Sequence, residues 1–270
     1  MNRPGTKVTR RVATGLDRRA LALGSALVLA LAGAAFGQEE VRPASLNLHR
    51  WGAVTLFHGL PSNHVRAIAQ DVDGSLWFGT DNGLARYDGR RTQTISEPGL
   101  PSGRVRALRA DAAGRIWIGT DAGLVRSVAG RLEAVPETVG LAITAIVSPE
   151  PGRVTATSEQ GTVVLCSAAG DDSCSVRTVG PGDSPLLRVE SGGGSPLPLT
   201  SAAYVEGALV VGTRGRGLLA IDAGGVREVL SRPRAFFVNA LEPGPAGRLW
   251  LGAETSSEDS GLYESSDLRH

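Results

Sequence analysis

The chain writes one phrase twice. Residues 73–89 read DGSLWFGTDNGLARYDG and residues 113–130 read AGRIWIGTDAGLVRSVAG, forty residues further on. Sliding from the glycine that opens each phrase finds five copies, at Gly74, Gly114, Gly152, Gly207 and Gly247, with intervals of 40, 38, 55 and 40 residues. Three residues on stand Trp77, Trp117, Thr155, Val210 and Trp250; five residues on stand Gly79, Gly119, Thr157, Gly212 and Gly252. A period near forty residues means one supersecondary unit stacked on copies of itself, and the local pattern decides whether that unit is helical or extended.

It is extended. VRAIAQ, SLWFGT, LARYD and TQTIS are short runs rich in β-branched and aromatic residues, broken by Asp-Gly and Asn-Gly, and none is long enough for a packed helix. Asp73-Gly74 and Asp88-Gly89 read as two-residue hairpin turns. Four antiparallel strands per forty residues make a propeller blade, and blades in a ring cover one another's faces. The expected fold is therefore an all-β propeller of about five four-stranded blades, near 60–96, 100–135, 141–179, 198–230 and 235–264. Trp77, Trp117 and Trp250 are expected between blades, with Gly79, Gly119, Gly212 and Gly252 at close approaches. AVTLF, residues 53–57, reads as an orphan strand that pairs with the last blade and closes the ring, removing two open edges; an open or incomplete array is the alternative.

The stretch GLPSNHVRAIAQDVDGSLWFGTDNGLARYDG, residues 59–89, and its echo GLPSGRVRALRADAAGRIWIGTDAGLVR resemble the two-component regulator propeller repeat. The resemblance is strong over 57–126, weak over 140–222, and returns at GRLWLGA near the end. It implies the periplasmic sensor region of a hybrid histidine kinase or a related regulator. Nothing after residue 38 supplies a second apolar span, a phosphoacceptor helix or a nucleotide-binding loop, so signal output is expected to lie elsewhere, the chain being a fragment of a longer product or a stand-alone propeller. Fold transfers along such a resemblance far better than function, because propellers host many activities.

The N-terminus points to export. Arg10, Arg11, Arg18 and Arg19 precede the uncharged run ALALGSALVLALAGAAFG, residues 20–37, which ends in small residues. Residues 1–37 read as a signal peptide and 38–52 as a lead-in, giving a periplasmic or secreted product; an uncleaved membrane anchor is the alternative. Cys166 and Cys174, eight apart across CSAAGDDSC, suit a disulfide in such a compartment.

In a propeller, the loop entering each innermost strand and the turn between the second and third strands share one face. That face gathers Asn63, His64, Asp81, Asn82, Arg104, Asp121, Glu159, Arg214, Arg216 and Glu254 as candidate ligand-binding residues around the tunnel mouth. The candidate partner is a small molecule, a glycan or a protein domain. A formal charge of +1 from 28 basic and 27 acidic residues supplies no field for nucleic acid or an anionic membrane surface. Enzyme readings are thin: four histidines form no metal-ligand spacing, so no metal or cofactor is expected, and the residual enzymatic reading is a lyase or hydrolase using His64 with Asp81 or Glu254. The Pro-, Gly- and Ser-rich stretch 180–198 reads as a surface excursion.

Overall fold

The structure, a computed structural model, describes residues 8–9, 54–95, 99–128, 130–167, 173–179, 197–222, 225–230, 236–255 and 260–265. The run at 20–37, the lead-in 38–52 and most of the excursion at 180–198 lie outside the described residues.

Among the described residues twenty strands form five four-stranded antiparallel sheets. Sheet 1 holds β2 (Val65–Gln70), β3 (Leu76–Thr80), β4 (Gly83–Tyr87) and β5 (Thr92–Ile95). Sheet 2 holds β6 (Val105–Ala110), β7 (Ile116–Thr120), β8 (Gly123–Val128) and β9 (Arg131–Ala134). Sheet 3 runs through β10 (Ile143–Glu150), β11 (Arg153–Ser158), β12 (Thr162–Ser167) and β13 (Cys174–Thr178). Sheet 4 runs through β14 (Leu199–Val205), β15 (Ala208–Thr213), β16 (Leu218–Asp222) and β17 (Gly225–Leu230). Sheet 5 joins β18 (Phe236–Pro243), β19 (Leu249–Thr255) and β20 (Gly261–Ser265) to β1 (Val8–Thr9). The innermost strands follow one another in space, with β2 against β6, β6 against β10, β10 against β14 and β14 against β18, as in a propeller.

Packing between sheets explains why the eroded copies still fold. A strand covered on both faces needs no alternation: β7, IWIGT, is buried at every residue. Trp77 and Leu84 of sheet 1 share a core with Val105, Leu108 and Ile116 of sheet 2. Trp117 and Leu124 of sheet 2 pack with Ile143, Ile146 and Val154 of sheet 3. The five-residue-on glycines set the distance between sheets: a Cβ on Gly119 would lie 2.6 Å from Cγ2 of Ile143, the first residue of the next innermost strand. Fully burying one Leu- or Trp-sized side chain contributes roughly 1.5–3 kcal/mol, so a blade tolerates loss of its tryptophan, as sheets 3 and 4 do, while other apolar groups fill the layer.

Two expectations about the backbone are corrected. Asp73-Gly74 is not a two-residue turn: Asp71 and Ser75 flank a three-residue loop in which Asp71 N–H donates to the Ser75 carbonyl at 2.8 Å and Gly74 N–H returns to the Asp71 carbonyl at 3.0 Å, with Gly74 at φ 85°. That is a tight turn finished by a left-handed glycine. At the second site the turn is one residue later than expected, Gly89-Arg90 between Asp88 and Arg91, with the positive φ at Gly89 alone of the pair.

The other correction concerns closure. Val54 and Thr55 are irregular and Leu56–His58 form one turn of 3-10 helix, so AVTLF is not the missing strand. Instead Val8 and Thr9, which lie inside the stretch 1–37 read from the sequence as a signal peptide, pair with Ser265 and Glu264 to give sheet 5 its fourth strand. The Val54–Leu60 segment packs beside sheet 1, where Val54 and Leu60 cover Phe78 and Ala85. Among the described residues sheet 5 and sheet 1 make no substantial contact, and the array is not closed. Exposure agrees: Ile68 is 60% exposed on sheet 1 and Leu262 is 60% exposed on sheet 5, whereas their counterparts Leu108 and Leu124 are buried.

Cys166 and Cys174 face each other across β12 and β13 and form a disulfide that staples the outer hairpin of sheet 3.

Candidate functional site

Every innermost strand carries the same irregularity near its start. The register of β2 on β3 skips between Val65 and Ala67, leaving Arg66 as an extra residue, and matching skips leave Arg106 in β6, Thr144 in β10, Thr200 in β14 and Asn239 in β18. A bulge re-aims the side chain of its extra residue and is over-represented at functional rims. Here five bulges at one height send five polar side chains into one cleft of about 480 Å³. Val65, Arg104, Glu159 and Arg214 complete its lining, so all five sheets contribute.

In sheets 1 to 4 the loop entering the innermost strand is tied to the turn between the second and third strands. Asp81 N–H donates to the His64 carbonyl at 3.1 Å, Asp121 N–H to Arg104 at 3.3 Å, Glu159 N–H to Ala142 at 2.9 Å and Arg214 N–H to Pro198 at 3.1 Å. These bonds carry the acidic and basic side chains of the turns to the mouth of the cleft. There they form an alternating ladder. Arg66 bonds Asp81; Arg104 lies 3.3 Å from Asp81 and 3.6 Å from Asp121; Arg106 bonds Asp121 and lies 3.2 Å from Glu159; Arg214 lies 3.4 Å from the other oxygen of Glu159. Four guanidinium groups against three carboxylates leave one positive charge in excess. Exposed pairs of this kind add little stability each; what the ladder fixes is the position of the arginines. The Asp81 carboxyl is held below the ordinary carboxylate range by the Arg66 hydrogen bond, with Arg66, Arg104 and His64 adding electrostatic support, and Arg66 is correspondingly raised.

The remaining wall is neutral. Thr144 Oγ1 donates to the Thr157 carbonyl at 3.1 Å, Thr200 Oγ1 donates to the Val238 carbonyl, and Asn239 Nδ2 lies 3.4 Å from Glu254 Oε2.

Of the residues singled out from the sequence, Arg104, Glu159 and Arg214 line the cleft, and Asp81 and Asp121 hold its arginines. His64, its side chain 82% exposed, sits 3.5 Å from Asp81, and Glu254 reaches the cleft only through Asn239. Three have other settings. Asn63 Oδ1 accepts the Leu56 N–H at 3.0 Å and so fixes the 3-10 turn at Leu56–His58; Asn82 and Arg216 donate backbone N–H groups to Thr80 and Thr213 within their own turns. None of these three lines the cleft. Sequence reasoning missed Arg66, Arg106, Thr144, Thr200 and Asn239, although a signal was present: Val-Arg-Ala, Val-Arg-Ala, Ile-Thr-Ala and Leu-Thr-Ser begin the first four innermost strands and Val-Asn-Ala lies two residues into the fifth, an apolar–polar–small triplet in every copy. Asp71 and Asp111 were missed too. Asp111, buried, accepts the Trp117 indole N–H at 3.0 Å and the Arg115 guanidinium at 2.9 Å; Asp71 does the same for Trp77 at 3.2 Å. Burial pushes the Asp111 carboxyl up, but the Trp117 and Arg115 hydrogen bonds outweigh it and the carboxyl stays below its ordinary range.

A second cleft, about 440 Å³, flanks the disulfide where Tyr204 OH meets Thr155 Oγ1 at 3.1 Å. It is lined by residues of the two hairpins of sheet 3 and by Tyr204, and gathers one ionisable cation, Arg153.

Residues 59–82 and 99–122 match the two component regulator propeller family. No curated protein matches the chain. Among solved structures, the extracellular domain of a putative hybrid two component system from B. thetaiotaomicron is 20% identical with a TM-score of 0.58; the likeness covers 75% of this chain and 27% of that domain. Virginiamycin B lyase from Staphylococcus aureus is 15% identical with a TM-score of 0.55, over 76% of this chain and 71% of the lyase. At these identities the likeness establishes the propeller fold, which sensors and enzymes share. The chain spans about a quarter of the sensor domain's length. Among the described residues no helix is long and apolar enough to cross a membrane.

Proposed function

We propose that this chain, a member of the two component regulator propeller family, is an exported, non-enzymatic sensor module that recognises a small ligand or a partner domain at its axial cleft, within a two-component-type regulatory system. The observation that carries the reading is the set of five register-matched bulges. A bulge interrupts the ladder of hydrogen bonds in the strand that bears it, and all five innermost strands carry one at the same height. What the five have in common is a polar side chain delivered to the axis. Rigid strands hold those side chains and loops surround them, the usual division of labour at a recognition site. Similarity to an extracellular sensor domain supports the regulatory setting and the export reading. The N-terminal basic and apolar segment supports export independently; cleavage after residue 37 would remove Val8–Thr9 and leave sheet 5 with its three strands β18, β19 and β20.

A thermal-shift screen of the full chain against glycans, organic acids and cell-wall fragments tests this. A ligand that binds the folded form raises Tm by mass action, and Thr200→Val must remove that shift if the axial cleft is the site. Turnover of a polysaccharide or lactone substrate that His64→Ala abolishes would contradict the non-enzymatic reading and replace it with a propeller lyase or hydrolase.

A further inference from the structure

The two walls of the axial cleft differ in kind. Sheets 1 and 2 contribute Arg66, Arg104 and Arg106; sheets 3, 4 and 5 contribute the neutral Thr144, Thr200 and Asn239 together with Glu159 and Arg214, a pair of opposite charge. Asp81 and Asp121, which neutralise much of the arginine charge, do not line the cleft. They grip Arg66 and Arg106 through Nε, so the guanidinium groups are held from outside while their cationic ends are available within. Arg66 spends one of its nitrogens on the protein among the described residues, and Arg106 spends Nε and Nη1, the latter on Glu159. Arg66, fixed through Nε alone, presents its two terminal nitrogens as a fork of donors suited to the two oxygens of a carboxylate or the oxygens of a sulfate, and Arg106 adds Nη2. Because their partners already hold both arginines, little side-chain freedom is lost on binding.

We propose that the cleft is an anion site for a small hydroxylated organic carboxylate, with the carboxylate against Arg66 and Arg106 and the hydroxyl groups against Thr144, Thr200 and Asn239. This deepens, and rests on, the reading of the axial cleft as the recognition face. The volume, about 480 Å³, lies in the ordinary range for small-molecule sites. Glu159 stands between Arg106 and Arg214 and repels a second carboxylate there. A monoanion with a neutral, hydroxyl-bearing remainder therefore fits better than a polyanion.

Calorimetric titration of the full chain with D-glucuronate, D-glucose and inorganic sulfate reads this out, since glucuronate differs from glucose by a carboxylate in place of a hydroxymethyl group. Glucuronate is expected to bind at least about ten-fold more tightly than glucose, the factor expected for hydrogen bonds to a charged group. Sulfate is expected to compete. Arg66→Gln and Arg106→Gln, made separately so that a folding defect in one does not decide the matter, should each weaken glucuronate about ten-fold or more. Thr200→Val should weaken glucuronate and leave sulfate unchanged. Equal affinity for glucose and glucuronate, or indifference to both arginine variants, overturns the anion assignment. The recognition face itself survives that result if Thr200→Val still removes binding of the glucose or of a compound found by the thermal screen. It falls with the anion assignment if Thr200→Val affects no bound compound.

Discussion

Trp117 and Trp250 hold the same place in their sheets and live in different surroundings. Trp117 is fully buried between sheets 2 and 3, its indole N–H on Asp111 and the Arg115 guanidinium over its ring at 5.9 Å. Trp250 is only half-buried; the position of Asp111 is taken by Gly244, and no sheet lies beyond it among the described residues. The same contrast runs through the sheet. Leu124 is buried and its counterpart Leu262 is 60% exposed; a Cβ on Gly119 would strike Ile143 at 2.6 Å, whereas one on Gly252 meets only Ala240 at 3.5 Å, ordinary contact. Identical motif residues therefore do different work according to whether a neighbouring sheet covers them. The repeat is a pattern of interface residues, and an interface needs both sides.

Substitutions in matched pairs sharpen the contrast. Trp117→Ala should cost about 3–5 kcal/mol and Leu124→Ala about 2–5 kcal/mol, the range for truncation in a closed core. Leu262→Ala should stay under about 1 kcal/mol, as for a surface site. Denaturant unfolding of the full chain measures each, and equal losses for Leu124 and Leu262 would mean that sheet 5 is covered by something the contacts do not show. Next in size, Asp111→Asn should cost about 1.5–3 kcal/mol through its bonds to Trp117 and Arg115. Its pH dependence has a definite sign. The folded carboxyl lies below its unfolded value, so its contribution is fully present above the ordinary carboxylate range, about pH 4, and is lost as pH falls through the folded pKa. Tm of the wild-type chain measured down to pH 2 should fall more steeply than that of Asp111→Asn. Smaller again, Gly119→Ala should cost about 1–3 kcal/mol by overpacking against Ile143, and Gly252→Ala close to nothing; similar Tm shifts for the two would undo the comparison.

Much of this architecture was legible before any coordinates. The spacing of Gly74, Trp77 and Gly79 in successive copies fixes blade number and strand order, because side chains facing a neighbouring sheet must recur at the neighbouring sheet's period. The turns were read less well. Asp71 builds its loop with a side chain, accepting Val72 N–H at 2.7 Å and the Trp77 indole, and a rule that looks only at Asp-Gly pairs does not see an aspartate two residues earlier. The fourth strand of sheet 5 was unreadable for a different reason: Val8–Thr9 is two residues long and pairs across the full length of the chain, leaving no local periodicity to find. At the site, attention to loops recovered Arg104, Glu159 and Arg214 in the cleft lining. The bulge residues escaped because regular alternation assigns Arg66 and Arg106 to a sheet face, and only the extra residue in the register turns them to the axis.

Acrylamide quenching of fluorescence in full-length variants that retain a single tryptophan, the others replaced by phenylalanine, tests the central claim most directly. If sheets 2 and 3 seal the indole between them, the chain keeping Trp117 alone should be almost unquenched, and the chain keeping Trp250 alone should be quenched several-fold more strongly. Equal quenching of the two folded variants would contradict the account.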